Sequence, residues 1–127
     1  MGSEFTFYDF VDDSDANVIH EWLQDIPKGA KQKFNKWLMH LEATPPGEWK
    51  RPLVDAVCDG LFEIRVSLSK QQYRILGVHT PDQKPMLLHG FIKPERKVPN
   101  EECAQAQAKR EQFEADPAKH RVEHNYE

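Results

Sequence analysis

The chain has 127 residues and a formal net charge of −4; 39% of its residues are hydrophobic and 30% are charged. This length suits one domain that buries roughly two thirds of its unfolded surface, and the composition excludes an intrinsically disordered chain. No apolar run reaches the about 18 residues of a membrane-spanning helix, and no signal-peptide pattern opens the sequence. A cytoplasmic protein without membrane contact is therefore expected.

The first third of the sequence predicts a strand and two helices. Aromatic and polar residues alternate over residues 5–11, which is the period of a strand. Residues 12–15 can cap a helix with an apolar stripe made of Val18, Ile19, Trp22, Leu23 and Ile26. Pro27 can begin a second helix, which ends at residues 44–47 and buries Phe34, Trp37, Leu38 and Leu41. Two helices joined at a proline predict an αα-hairpin.

The remaining sequence predicts three strands and a last helix. The strands cover residues 61–68, 71–78 and 85–93, and the second is apolar on both faces, as in a central strand. A helix beginning at Pro99 ends at Asp116 and Pro117. The order β-α-α-β-β-β-α predicts an α+β fold. A small, mainly antiparallel sheet would carry the N-terminal αα-hairpin and the C-terminal helix on one face.

One domain is expected over residues 5–117. Residues 118–127 have no periodicity and are expected to form a flexible tail. Residues 1–4 are interpreted as a remnant of cloning.

The sequence lacks the usual signatures of cofactor and metal sites. It has no glycine-rich phosphate loop, no cysteine cluster and no histidines with ligand spacing, so no cofactor, metal or small-molecule ligand is expected. Cys58 and Cys103 could form a disulfide. In a chain without an export signal, two reduced thiols are the favoured interpretation.

Charge is unevenly distributed along the chain. Residues 1–25 hold seven acidic residues and no lysine or arginine, whereas residues 50–97 hold nine basic and five acidic ones. A basic centre between acidic flanks is compatible with a face that contacts phosphates, although ordinary solvated surface charge explains it equally well.

Cations recur within the predicted strands. Arg65, Arg74 and Lys93 lie on three successive strands, and Arg96 and Lys97 follow the third. Such a group suits a phosphodiester, because guanidinium groups bind phosphate through two hydrogen bonds and stay charged. The alternative is a set of surface ion pairs, with Glu63 as the partner of Arg65.

Four motifs in this region resemble one protein family. They are Gly-Leu-Phe-Glu-Ile-Arg (60–65), Tyr-Arg-Ile (73–75), Leu-Leu-His-Gly-Phe-Ile-Lys (87–93) and Lys-Val-Pro-Asn-Glu-Glu (97–102). In order and spacing they are similar to the HigB-like, phage-derived branch of the RelE/ParE toxins of type II toxin-antitoxin systems. The order of predicted elements agrees with that family over roughly residues 5–116.

The resemblance implies a toxin that cleaves mRNA on the ribosome without a metal and is neutralised by a cognate antitoxin, commonly a helix-turn-helix protein. The RNA 2′-hydroxyl would attack the adjacent phosphate, which Arg65 and Arg74 would hold. Lys93 and Lys97 would bind the RNA backbone, and one of them would take part in proton transfer. Further RNA contacts would come from Lys70, Arg96 and Tyr73.

The general base remains open at the level of sequence. His89 titrates in the useful range, but its neighbours Leu87 and Phe91 also fit a histidine packed in the core. Glu63 could be the base or the ion-pair partner of Arg65. Tyr73 could stack on a nucleobase or belong to the core of a central strand.

Two other functions remain compatible with the same fold. One is a toxin that acts on DNA gyrase. The other is a binding module from a mobile element that has lost catalysis, which the acidic net charge and Pro94-Glu95 favour.

Overall fold

The computed structural model describes residues 6–45, 48–49, 54–92 and 98–126. They form three helices and six strands in the order β1 (Tyr8–Phe10), α1 (Val18–Asp25), α2 (Lys28–Glu42), β2 (Val54–Val57), β3 (Leu61–Leu68), β4 (Gln71–Val78), β5 (Met86–Ile92), α3 (Asn100–Ala115) and β6 (Arg121–Glu123). The predicted α+β class, the αα-hairpin and the C-terminal helix are confirmed. Among these residues, no helix has both the length and the apolar character that crossing a membrane would need.

All six strands belong to one mixed sheet with the order β2-β3-β4-β5-β1-β6. The run from β2 to β5 is antiparallel, while β1 pairs in parallel with β5 and antiparallel with β6. The parallel pair arises because the chain leaves β1 and reaches β5 only after both α1 and α2 and three further strands. Strand β4 is central, as its two apolar faces predict.

Helices cover both faces of the sheet, so the expectation that all helices lie on one face is wrong. One core lies between the sheet and the αα-hairpin, and includes Ile19, Leu23, Phe34, Leu38, Ile64 and Ile75. A second core lies under α3, and includes Leu76, Met86, Leu88, Ala106 and Phe113. The central strands alternate between the two cores, which is why they carry apolar residues on both sides.

The αα-hairpin departs from its predicted pattern at two residues. Asn17, rather than residues 12–15, caps α1, because its side-chain oxygen accepts a hydrogen bond from the His20 amide at 2.9 Å. Trp37 was expected to be buried, but it is 36% exposed. The helical stripe that reaches the core comprises Phe34, Leu38 and Leu41.

The expected flexible tail instead contains strand β6. This strand pairs with β1 along its whole length, and His124 beyond it is buried. The His124 ring lies 2.8 Å from Asp9 Oδ1 and 2.9 Å from Asn35 Oδ1. A strand of three residues is too short to show a period in sequence, and the polar partners of His124 come from distant elements.

Cys58 and Cys103 form a disulfide, so the expectation of two reduced thiols is wrong. Cys58 lies in the turn between β2 and β3, and Cys103 lies in the first turn of α3; their Cα atoms are 5.4 Å apart. The absence of an export signal favoured reduced thiols, but the sequence does not show that α3 packs beside this turn.

Gly77 lies where β4 and β5 approach closely, next to a register shift in their pairing. A Cβ atom there would lie 2.5 Å from the Met86 carbonyl oxygen, which belongs to the backbone and cannot move aside. We expect Gly77→Ala to lower the free energy of unfolding by about 1–3 kcal/mol, measured by urea denaturation. Gly29→Ala is the matched control. It adds a Cβ in helix α2 against the mobile end of Leu68 and should be neutral or stabilising. Equal losses in the two variants would contradict this explanation.

Candidate functional site

Three residues singled out in the sequence lie on one face of three adjacent strands. Arg65 on β3 is directly opposite Arg74 on β4. His89 on β5 is opposite Leu76, two residues along β4 from Arg74, so its side chain projects from the same face. This is the face that α3 covers. The structure therefore brings these three side chains into one region.

Glu63 joins the two arginines. Its carboxylate accepts a hydrogen bond from Arg65 Nε at 2.5 Å and forms an ion pair with Arg74 Nη1 at 3.3 Å. Arg65 Nη2 also contacts Asp55 Oδ2 at 3.2 Å. Two cations and two carboxylates thus form one network. The sequence placed Glu63 on the face of Arg65, but nothing in it showed that the same carboxylate contacts Arg74.

The two arginines differ in their access to solvent. The Arg65 side chain is 32% exposed, whereas that of Arg74 is 1% exposed and donates from Nη2 to Gln72 Oε1 at 3.1 Å. A phosphate group could reach Arg65 in this conformation. It could not reach Arg74 without a movement of the surrounding structure.

His89 is held by two residues of α3. Its Nε2 lies 2.6 Å from Glu102 Oε1, and its Nδ1 lies 2.9 Å from Lys109 Nζ. A lysine ammonium can only donate and a carboxylate can only accept, so this arrangement fits the neutral ring with its proton on Nε2. The Nδ1 lone pair, which a general base needs, is then occupied by Lys109.

The pKa values of this pair agree with a neutral imidazole. Burial lowers the pKa of His89 and the Lys109 charge lowers it further, while the hydrogen bond to Glu102 opposes both. Burial also lowers the pKa of Lys109, against the attraction of Glu102. The sequence does not indicate that Glu102 and Lys109 belong to this site, because the weak apolar pattern of α3 does not show which face of the helix packs on the sheet.

The other residues predicted to bind RNA lie elsewhere or cannot be placed. Tyr73 is 5% exposed and packs in the core on the opposite face, so stacking on a nucleobase is not available to it. Lys70 is exposed in the turn between β3 and β4. Lys93, Arg96 and Lys97 lie outside the described residues.

Helix α2 provides a basic surface that is separate from the region of Arg65, Arg74 and His89. Its lysines at 28, 31, 33 and 36 precede the only acidic residue of the helix, Glu42. A groove of about 680 Å³ lies along this helix and is lined by Lys28, Lys31, Gln32, Asn35, Lys36, Met39, His40 and Tyr126. None of the described residues that line the groove carries a carboxylate, so this lining favours an anionic partner. Nothing in the described part of the chain groups three or more histidine, cysteine or acidic side chains as a metal site would require.

A family model described as "Phage derived protein Gp49-like" (DUF891) matches residues 21–111. The match covers more than half of the chain and includes Arg65, Arg74, His89 and the two residues of α3 that hold His89. No curated protein and no solved structure matches the chain significantly.

Proposed function

The chain belongs to the Gp49-like family of phage-derived proteins, and from this premise we propose that it is a HigB-like toxin of the RelE/ParE superfamily that cleaves mRNA on the ribosome. The observation that carries the proposal is the placement of Arg65, Arg74 and His89 on one face of three adjacent strands. A cation can stabilise the charge on the phosphate and a neutral imidazole can accept a proton, and these two roles suit RNA cleavage without a metal.

The proposed reaction uses the RNA as its own nucleophile. The 2′-hydroxyl attacks the adjacent phosphorus, the bond to the 5′ oxygen breaks, and the products are a 2′,3′-cyclic phosphate and a 5′-hydroxyl. Arg65 stabilises the charge that develops on the phosphate oxygens. His89 Nδ1 accepts the 2′ proton once Lys109 has withdrawn from it. A lysine ammonium protonates the leaving oxygen, and Lys93 and Lys97 are the candidates.

The partners follow from the same proposal. Cleavage on the ribosome requires contact with ribosomal RNA, for which the basic surface of α2 has suitable charge. A toxin of this kind also needs a cognate antitoxin in the same cytoplasm, and a helix-turn-helix protein is the expected type.

Induced expression of the wild-type protein in a bacterium should arrest growth and produce mRNA cuts within translated frames. Arg65→Ala should abolish the arrest and reduce cleavage at least about 100-fold, the usual effect of losing one donor that stabilises transition-state charge. Arg121→Ala is the matched control, because this arginine lies on β6 at the far side of the sheet and pairs with Asp82. It should remain toxic. Circular dichroism should show that both variants are folded.

Two other outcomes would indicate a different target or a different site. A growth arrest with DNA damage and intact mRNA would indicate action on DNA gyrase. Toxicity that survives Arg65→Ala in the folded protein would remove Arg65 from the proposed site.

A binding module without catalysis is the second candidate. It is favoured by the closed state of the site, where Arg74 is 1% exposed and both His89 nitrogens are engaged. A well-expressed, folded wild-type protein that leaves growth unchanged under reducing and oxidising conditions would support this candidate.

A further inference from the structure

We propose that helix α3 is a lid over His89 and that the Cys58–Cys103 disulfide is a redox-sensitive latch that keeps this lid closed. The regulatory role of the lid rests on the proposed function, whereas the latch itself concerns only how α3 is held. Three independent features of α3 support it.

The first feature is the weak apolar attachment of α3. Of its 16 residues, only Ala106 and Phe113 are buried. With two buried side chains of its own, the helix gains only part of its attachment from packing on the second core and depends also on polar and covalent contacts to stay docked. Because its detachment exposes Leu76, Met86 and Leu88, which are fully buried beneath it, α3 is expected to open only when its covalent tie to the β2–β3 turn is broken.

The second feature is that its polar contacts close the site. Glu102 and Lys109 occupy both nitrogens of His89. One turn after Cys103, Gln107 Nε2 donates to the carbonyl oxygen of Cys58 at 2.5 Å. While Lys109 occupies Nδ1, the His89 lone pair is unavailable to a substrate, and movement of α3 would release it.

The third feature is the position of the disulfide. Cys103 follows Glu102 directly in the chain, so the covalent bond fixes the turn of α3 that carries one of the two His89 partners. Cys58 and Asp59, in the turn to which α3 is tied, have positive φ angles of 51° and 54°, and Gly60 follows with 103°. This backbone is costly for residues with a side chain. The bond thus ties a weakly packed helix to a turn that is itself under backbone strain.

Reduction opens the latch by thiol-disulfide exchange. A dithiol attacks one sulfur of the bond as a thiolate, and a mixed disulfide forms while the other cysteine leaves and takes up a proton. The second thiol of the reductant then releases the first cysteine. Two electrons and two protons pass from the dithiol to Cys58 and Cys103, and the reductant becomes a cyclic disulfide. Both cysteines are partly exposed, so a small thiol can reach them.

Hydrogen exchange of the full chain, with and without dithiothreitol, tests the latch directly. Amides of α3 beyond Cys103 should exchange at least tenfold faster after reduction, while amides of β3 and β4 should keep their protection. The double variant Cys58→Ser/Cys103→Ser should exchange rapidly in α3 under both conditions and should not respond to dithiothreitol. Equal protection of α3 in the oxidised and reduced wild-type protein would overturn the proposal.

A second measurement separates this proposal from the proposed function. Cleavage of ribosome-bound mRNA is followed in a buffer without thiols for the oxidised wild-type protein and the double serine variant. The variant should cleave at least tenfold faster. If α3 is released but neither protein cleaves, the latch stands and the proposed function fails. If both cleave equally and α3 stays protected, the function stands and the latch fails.

Discussion

Replacing Glu63 with glutamine is expected to lower the free energy of unfolding by about 3–5 kcal/mol, the usual cost of breaking a buried ion pair from one side. Glu63 has no exposed surface and contacts Arg65 and Arg74, of which Arg74 is 1% exposed. Glutamine keeps the shape of the side chain but removes the charge that both guanidinium groups face. Urea denaturation of the oxidised protein, followed by tryptophan fluorescence, measures the loss.

Asp55→Asn is the matched control for this variant. Of the two arginines, Asp55 contacts the outer one, and the Asp55 and Arg65 side chains are 17% and 32% exposed. Solvent screens such a pair, so the expected loss is below about 1 kcal/mol. A loss in Glu63→Gln as small as that of the control would show that the buried network contributes little to stability.

The helices and long strands of this fold could be predicted from the sequence, because the spacing of their apolar residues shows a clear helical or strand period. The bounds of β3 and β4 agree with the alternation of apolar residues at 61–68 and 71–78. Strands β2 and β6 were missed, because segments of four and three residues hold too few positions to show a period. Their pairing depends on neighbours distant in the chain, as β6 with β1 illustrates.

The candidate site could be predicted only in part, for a related reason. Alternation along a strand placed Arg65 and Arg74 on adjacent strands, and a register without slippage made them direct neighbours. The groups that close the site come from α3, where Glu102 and Lys109 lie seven positions apart. A mostly polar helix gives no sign in sequence of which side it turns to the sheet. For the same reason, the sequence could not show that the His89 ring is neutral and that both of its nitrogens have partners on α3.

Burial also determines which of the predicted cations can bind a phosphate. In sequence, Arg74 is a charge on an open strand that can meet a phosphate. In the structure it is enclosed and faces Glu63, so its positive charge is balanced inside the protein. The exposed Arg65 is then the arginine that a substrate meets first. This ordering makes Arg65, rather than Arg74, the informative position for loss of toxicity.

The C-terminal segment offers the second large effect on stability. His124→Ala should lower the free energy of unfolding by about 2–4 kcal/mol, because it leaves two buried oxygen atoms without their partner. These atoms are Asp9 Oδ1 on β1 and Asn35 Oδ1 on α2, and the His124 side chain between them has no exposed surface. The variant therefore removes the side chain through which the segment after β6 contacts both β1 and α2. Urea denaturation measures the change.

His20→Ala provides the matched control, because His20 is half-buried on α1 and its ring nitrogen lies 3.2 Å from the exposed Gln24 side chain. Its expected change is within about 0.5 kcal/mol. If both histidine variants lost stability equally, or if neither did, residues 118–126 would be an appendage to a domain that ends near Pro117, as the sequence alone indicated. A loss confined to His124→Ala would instead make β6 and the segment after it an integral part of the fold, since that segment supplies the His124 partner of the buried Asp9 Oδ1.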